Sequence, residues 1–183
     1  DFRAFGIPME NRVGLLEEGI EIIRNCWTSR PFSFDGKHFQ LEDVQVLPPP
    51  FQKPSPPLWI GASTPRGARR AGRLADGFVA GPSTGMEATA RLVETYRQAA
   101  IQAGREPQVV LMRDAWVASS RAEAEAVYGP EVTAAYKYYW RNGLTEFQSI
   151  KSEAELTLER VAPQRLILGD PEECVGEFLR WKE

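Results

Sequence analysis

LWIGA at residues 58–62 is the first of three apolar stretches that decide the fold; GFVAGP at 77–82 and VVLMRDAWVA at 109–118 follow it. Each has the continuous apolar character of a buried strand, and amphipathic helical patterns lie between them. Strands that alternate with helices indicate βαβ units and a parallel sheet. Two architectures fit this pattern, an open doubly wound sheet and a piece of a (β/α)8 barrel.

Capping residues predict a helix after each strand. We expect these helices to begin at Ser63-Thr64-Pro65, at a capping box of Thr84 and Glu87, at Ser120 with an interruption at Gly129-Pro130, and at Asp170. RLILGD at residues 165–170 fits either a short strand or an extended approach to the last helix.

The N-terminal third has a different pattern. Apolar residues at helical spacing predict a helix from about Arg12 to Trp27. Asp35-Gly36 lies between phenylalanine-rich flanks, which predicts a β-hairpin. The proline-dense residues 47–57 could be a linker or a polyproline ligand. Because they lead straight into the first strand, we interpret them as a rigid surface loop.

Composition excludes several classes of function. The 183 residues carry a formal charge of -3 with a pI near 5.4, so a polybasic nucleic-acid binder is not indicated. No apolar run approaches the ~18 residues of a membrane span. Two distant cysteines and a single histidine predict no disulfide framework, no metal site and no Ser-His-Asp triad. We expect a cytoplasmic protein without nucleic-acid or membrane partners.

The turn Gly61-Ala62-Ser63-Thr64 is the most informative candidate site. It joins the carboxyl end of a strand to a helix N-terminus, where free N–H groups and the helix dipole favour a phosphate. Small residues let a ligand approach the backbone, and two hydroxyls add donors. A well-capped helix without a ligand explains the same residues about equally well. Gly81 lies in the next strand-to-helix turn, on the same face of the sheet.

Other polar residues give weaker signals. The four arginines that follow the first turn form a stripe that is mostly a solvated helix face, with Arg66 the best candidate for a phosphate partner. His38, beside phenylalanines in the hairpin, is expected to be structural. Arg113 and Asp114 either pair or face a polar pocket. The aromatic residues between 136 and 140 are more typical of a core or an interface. No acidic pair has a spacing that indicates catalysis, so the catalytic residues stay unknown.

Several motifs in order resemble one family. They are FRAFGIPMENR at 2–12, a helix that ends in Cys-Trp at 26–27, the hairpin and proline run at 32–57, ARRAGRLADGF at 68–78 and LGDPEE at 168–173. This order is similar to that of the luciferase-like monooxygenases, which are flavin- or deazaflavin-dependent oxidoreductases. The resemblance runs across nearly the whole chain.

The resemblance implies an α/β fold, a partial (β/α)8 TIM barrel with a β-hairpin insertion. Residues 1–183 would form a single domain, a fragment of a larger barrel that lacks its N-terminal half and its last strand. The cofactor would lie across the carboxyl-terminal mouth of the barrel. Gly61, Ala62, Ser63 and Thr64 would hold its phosphate, helped by Gly81. Because the family often has Gly-Gly where this chain has Gly61-Ala62, the resemblance leaves the cofactor open.

Three functions remain at this point. Reduced FMN with O2 would oxidise a small organic substrate. A deazaflavin coenzyme would transfer hydride without activating oxygen. A self-contained α/β domain would bind a phosphate or nucleotide without catalysis. For the enzyme we expect a small-molecule substrate, a flavin reductase as a further partner, and a homo-oligomer at full length. The fragment alone is expected to be inactive.

Overall fold

The computed structural model of the protein describes residues 2–147 and 149–182. The chain divides into two compact units, Asp1–Leu58 and Trp59–Glu183. In the first unit, short 3-10 turns at Phe2–Phe5 and Met9–Asn11 lead into helix α1. In the second, similar turns lie at Thr145–Phe147, Glu153–Glu155 and Ala162–Gln164.

The first unit is a helix and a hairpin. Helix α1 spans Arg12–Trp27, and strands β1 (Phe32–Asp35) and β2 (Gln40–Val44) pair antiparallel. Both predictions are confirmed. Residues 45–58 contain neither helix nor strand, as their prolines predict.

The second unit contains parallel strands in two groups. Strands β3 (Trp59–Gly61), β4 (Gly77–Ala80) and β5 (Val109–Leu111) form a three-stranded sheet in that order. Strands β6 (Ala115–Val117) and β7 (Ile167–Gly169) form a parallel pair. The α/β fold with parallel strands is therefore confirmed, and the 165–170 segment does contain a strand.

The prediction of one strand over residues 109–118 is wrong, because β5 and β6 join different partners. Between them the backbone changes partner from β4 to β7, and the Asp114 carbonyl oxygen accepts from the amide of Ile167 at 3.0 Å. Arg113 donates to the carbonyl oxygen of Gly81 at 2.7 Å, and Asp114 accepts from the hydroxyl of Tyr136 at 3.1 Å.

Close packing of helices α2 (Pro65–Leu74) and α3 (Met86–Gln102) explains the ARRAGRLADGF motif. Ala68, Ala71 and Gly72 are fully or almost fully buried, and a Cβ on Gly72 would come within 2.6 Å of the Tyr96 carbonyl oxygen. A Cβ on Gly77 would collide with the ring of Trp59. Small residues at these positions therefore let the helices approach each other and the sheet.

The predicted capping box of Thr84 and Glu87 is wrong. The N-cap of α3 is Gly85, which has no side-chain capping bond, and Thr84 is buried. The Thr84 carbonyl oxygen accepts from the hydroxyl of Thr89 at 3.3 Å. The tertiary contacts of this turn therefore place the helix start one residue later than the local pattern does.

The predicted interruption at Gly129-Pro130 is also wrong, because helix α4 is continuous from Arg121 to Arg141. A proline inside a helix costs about 3 kcal/mol. Val132 and Tyr136, on the following turns, are almost fully buried. Burial of such side chains stabilises by about 1.5–3 kcal/mol each, which offsets the proline. The predicted cap at Ser120 is confirmed, because its hydroxyl accepts from the Glu123 amide.

Helices α5 (Leu158–Val161) and α6 (Pro171–Lys182) complete the unit. A second core forms where α4, the segment after it and β7 meet; its buried residues are Ala124, Val132, Tyr136, Phe147, Ile150, Leu156, Val161, Leu166 and Leu168. No helix within the described residues is long and apolar enough to cross a membrane.

Candidate functional site

The α2 turn, residues 61–64, follows the carboxyl end of β3 and precedes α2. Ser63 and Thr64 are exposed, and Ala62 is half-buried. The hydroxyl oxygen of Thr64 accepts from the Gly67 amide at 3.2 Å and so caps the helix, as predicted. Among the described residues, Ser63 has no hydrogen-bond partner. The turn therefore keeps a hydroxyl available at a helix N-terminus.

The first turn of α2 carries no acidic residue. Helices α3, α4 and α6 each carry one or two glutamates there. Arg66 is exposed and has no ion-pair partner in the part of the chain that the structure describes. Because the amino end of a helix is positive, an anion placed there gains about 0.3–1 kcal/mol. Nothing negative in this first turn competes for that position.

The α3 turn, residues 81–84, lies at the same edge of the sheet. Strand β3 pairs with β4 so that Gly61 lies opposite Val79. Both turns follow the carboxyl ends of these two neighbouring parallel strands. The structure thus brings the predicted residues Gly61, Ala62, Ser63, Thr64 and Gly81 to one edge.

The two glycines at this edge are not required by packing. A Cβ on Gly61 would make an ordinary contact of 3.6 Å with the Val79 carbonyl oxygen, and one on Gly81 would meet nothing within 4 Å. Neither backbone has a positive φ. Gly67 differs, because a Cβ there would come within 2.6 Å of the Ala62 Cβ. Gly67 therefore lets the α2 turn pack on its own helix.

Arg113 and Asp114 face neutral polar partners, and neither forms an ion pair within the described residues. Burial lowers the pKa of Arg113 to about 10; Tyr136 and Asp114 raise it, and Arg165 lowers it further. The guanidinium therefore remains charged at neutral pH. Burial, followed by the charge of Asp114, raises the pKa of Tyr136 well above its usual range. Tyr136 thus stays a protonated donor in the core.

Sequence reasoning missed a second polar group beside the α3 turn. Arg165 Nε donates to the Ser83 carbonyl oxygen at 2.8 Å, and the Ser83 hydroxyl donates to Glu146 at 3.2 Å. Burial lowers the pKa of Arg165, while Tyr136 and Glu146 raise it. These partners are separated by 82 and 63 positions along the chain, so no local pattern could have indicated them.

His38 lies in the hairpin of the first unit, half-buried against α1. A Cβ on Gly14 would come within 2.3 Å of its Nε2. The Glu18 carboxylate accepts from the amides of Lys37, His38 and Phe39 at 2.9–3.1 Å. Burial would raise the pKa of Glu18, but these three bonds lower it overall. The contacts of His38 are those of a packed structural residue.

The aromatic residues of α4 divide between core and surface. Tyr136 is fully buried and packs on Phe147 and Tyr139, whereas Tyr138 is 61% exposed. The indole of Trp140 donates to the Ile150 carbonyl oxygen at 2.9 Å. Within the described residues, no group of three or more histidine, cysteine or acidic side chains is arranged to hold a metal ion.

Comparison with known proteins agrees with this fold. The family model for luciferase-like monooxygenases matches residues 1–183. An F420-dependent glucose-6-phosphate dehydrogenase from Kribbella flavida is 27% identical over 95% of this chain and 53% of its own length. The crystal structure of the monooxygenase RslO1 from Streptomyces bottropensis is 25% identical, with a TM-score of 0.76 over 98% of this chain and 54% of its own.

The chain therefore belongs to the luciferase-like monooxygenase family, a family of oxidoreductases. It spans about half the length of the relatives it matches. An F420-dependent tetrahydromethanopterin reductase from Methanopyrus kandleri shares the fold, with a TM-score of 0.70 at 19% identity. The strands and helices of the second unit are thus part of a TIM barrel of this type, as the sequence resemblance implied.

Proposed function

We propose that the chain is part of an oxidoreductase that oxidises a small organic substrate with reduced FMN and O2, and that the α2 turn binds the cofactor phosphate. The observation that carries this proposal is the pair of glycines Gly61 and Gly81. A Cβ on Gly81 would meet open space and one on Gly61 would make only an ordinary contact, so neither packing nor backbone conformation requires glycine at this edge. Space kept clear beside a helix N-terminus suits a phosphate.

The donor set fits a phosphate group. Ser63 offers a hydroxyl, and Arg66 offers its backbone N–H and its guanidinium. Of its two neighbours in the first turn of α2, Pro65 has no N–H and the Gly67 amide is bound by the Thr64 cap. Bound FMN supplies the redox chemistry, and in this family that chemistry is the cofactor's own. The residues of this chain bind the phosphate and orient the cofactor. Since the first helical turn carries no carboxylate, the phosphate meets no opposing charge from it.

A deazaflavin coenzyme is the second candidate, and the curated relatives support it. Several of them carry the name F420-dependent glucose-6-phosphate dehydrogenase and are 24–28% identical to this chain. The deazaflavin coenzyme also carries a phosphate, so the same turn would hold it. In that case the reaction would be hydride transfer without O2. If the cofactor is FMN, a flavin reductase is the partner that would supply electrons.

The test uses the complete protein that carries this chain. Absorbance and mass of any co-purifying cofactor would identify FMN or the deazaflavin coenzyme. Titration with FMN and with riboflavin then isolates the phosphate, because the two ligands differ only there. We expect FMN to bind at least about tenfold more tightly, which corresponds to about 1.4 kcal/mol. Equal affinities would rule out the phosphate site, and binding without turnover would support a non-catalytic phosphate-binding domain.

We further propose that residues 1–183 are one part of the barrel and do not turn over alone. Four apolar residues of β5, β6 and the segment beside them are 42–53% exposed: Val110, Met112, Trp116 and Val117. In a closed barrel, such residues pack in layers inside it or under helices outside it. Purified residues 1–183 should show a broad thermal transition and no activity. A sharp transition with micromolar FMN affinity would contradict this proposal.

A further inference from the structure

The α3 turn is held by side chains through its carbonyl groups. Each of its four consecutive carbonyl oxygens lies within hydrogen-bond distance of a side-chain donor. The pairs are Gly81 with Arg113 at 2.7 Å, Pro82 with Tyr136 at 3.5 Å, Ser83 with Arg165 at 2.8 Å and Thr84 with Thr89 at 3.3 Å. The Tyr136 contact is at the long limit of a hydrogen bond, and the single hydroxyl proton of Tyr136 goes to the closer Asp114 carboxylate. The two arginine bonds have ordinary lengths, and the Thr89 bond is longer than is usual for a hydroxyl donor.

We propose that Arg113, Thr89 and Arg165 are positioning residues for the cofactor phosphate, which fix the α3 turn so that its carbonyl groups point away from the anion. This inference rests on the proposed function. Carbonyl oxygens carry partial negative charge, so a turn beside a phosphate must direct them elsewhere. None of the three residues needs to touch the cofactor.

Peptide geometry adds a consequence for the N–H groups. In a trans peptide the N–H points opposite to the C=O of the same unit. Because the Ser83 carbonyl points to Arg165, the Thr84 amide points away from it. The Thr84 carbonyl points to Thr89, so the Gly85 amide points away from that hydroxyl. Holding the carbonyls therefore also fixes the direction in which the turn presents its amides.

Arg113 is itself held from several sides. Its Nη1 also donates to the Met112 carbonyl oxygen at 2.8 Å, and its Nη2 donates to the Thr89 hydroxyl at 2.9 Å. The guanidinium carbon lies 3.8 Å from the centre of the Trp181 ring, a cation–π distance. A planar fork that bonds in two directions and stacks on a ring has no equivalent in lysine.

Thr89 connects Arg113 to the far end of the turn. It is buried, accepts from Arg113 and donates to the Thr84 carbonyl oxygen through the same hydroxyl. A valine has nearly the same shape but neither bond. Thr89→Val therefore removes the connection without removing a charge or creating a cavity.

The charges around the α3 turn indicate that the two arginines orient the turn and do not attract the phosphate through their charge. Asp114 and Glu146 are close enough to Arg113 and Arg165 to shift the pKa values of those guanidiniums. Two cations next to two carboxylates leave little net field. The contribution of the arginines to phosphate binding is therefore geometric, and charge alone should not replace them.

The experiment measures the ratio of riboflavin to FMN dissociation constants in the complete protein. The variants are Thr89→Val and Arg113→Lys, with Thr89→Ser as the conservative rescue. Arg105→Lys is the matched control, because Arg105 pairs with Asp76 at 3.2 Å and makes no bond to the turn. If the coenzyme is F420, the probes are F420 and its phosphate-free deazaflavin. We expect the ratio to fall about tenfold in Thr89→Val and Arg113→Lys, and to return in Thr89→Ser.

The wild-type ratio is read first. A ratio near one contradicts the proposed function, and this inference fails with it. If the wild type discriminates but Thr89→Val retains the full ratio, the proposed function stands and the positioning role is wrong. A merely structural role would lower the melting temperature or weaken both ligands equally, which leaves the ratio unchanged. If Arg113→Lys does not fold, Thr89→Val decides, since it changes no charge.

Discussion

The α2 turn and the α6 turn (residues 169–173) both join a parallel strand to a helix, but they use their helix N-termini differently. In the α6 turn the Glu173 amide donates to the Asp170 carboxylate at 2.9 Å, and the Asp170 amide donates to Glu173 at 3.0 Å. Its positive helix end is thus satisfied by the chain's own carboxylates. The α2 turn has a single hydroxyl cap and no acid in its first turn. Similar topology therefore gives one closed helix end, which the chain's own carboxylates cap, and one open helix end, which has no carboxylate.

Glycine has a different purpose in the two turns. Gly169 has a φ of 149°, and a Cβ there would come within 2.3 Å of the Glu173 carboxylate. The α6 turn needs glycine to form its own cap. Gly61 has no such requirement. A glycine that neither packing nor backbone conformation requires is therefore a better indicator of a ligand site than a glycine that the fold requires.

The largest effect should come from closing the α2 turn with a charge. Ser63→Asp places a carboxylate where the phosphate is proposed to bind. FMN binding should weaken by about 1–3 kcal/mol, the value of a charge-assisted hydrogen bond. Fluorescence titration of the complete protein measures it. Ser63→Asn is the neutral control of the same shape, and riboflavin affinity should not change. Equal FMN affinity in Ser63→Asp and wild type would remove Ser63 from the site.

Removal of a carboxylate from the α6 turn should affect the stability of the protein and not ligand binding. Asp170→Ala removes the side chain that accepts from the Glu173 amide. Loss of such a cap costs about 1 kcal/mol. Denaturant unfolding should show this loss, whereas FMN affinity stays within twofold. Asp170→Asn keeps an acceptor and should recover most of the stability. A large loss of FMN affinity in Asp170→Ala would mean that the α6 turn also contributes to the site.

The elements that the sequence predicted correctly have strong local signals. Helix α1 follows from its periodicity, the hairpin from Asp35-Gly36, and the start of α2 from Thr64-Pro65. The α2 turn was found for the same reason, since strand, small residues and cap are contiguous in the sequence.

The features that the sequence missed depend on partners far along the chain. Pro130 was expected to stop a helix, yet burial of Tyr136 in a core built from later residues keeps α4 continuous. The strand over residues 109–118 divides because the backbone changes partner from β4 to β7, a strand far along the chain. The bond from Arg165 to Ser83 spans 82 positions. Such contacts form only when the chain folds, so local sequence patterns do not indicate them.

The hairpin turn of the first unit resembles the α6 turn, because a carboxylate of the chain itself accepts from its backbone amides. This contact has a pH-dependent effect on stability. Three backbone amides bind the Glu18 carboxylate and lower its pKa overall. A carboxylate with a lowered folded pKa stabilises the protein above its unfolded value, about 4.3, and loses this contribution as the pH falls through the folded pKa. Glu18→Gln should therefore lower the melting temperature at pH 7, and the difference should shrink below about pH 4. A difference that is constant with pH would contradict this role.

The smallest effect is expected at His38, in the same closed hairpin turn. Its amide is taken by Glu18 at 2.9 Å, and its ring packs on Gly14 of α1, so the side chain is held by the fold and not by a reaction centre. His38→Gln in the complete protein should leave turnover within a few-fold, because no general base is removed. Steady-state kinetics with the identified cofactor measures this, and Phe39→Leu serves as a neighbouring packing control. A loss of about 100-fold or more, the scale of a removed general base, would place His38 in the active site. It would also show that a turn capped by the chain's own carboxylate can contribute to catalysis.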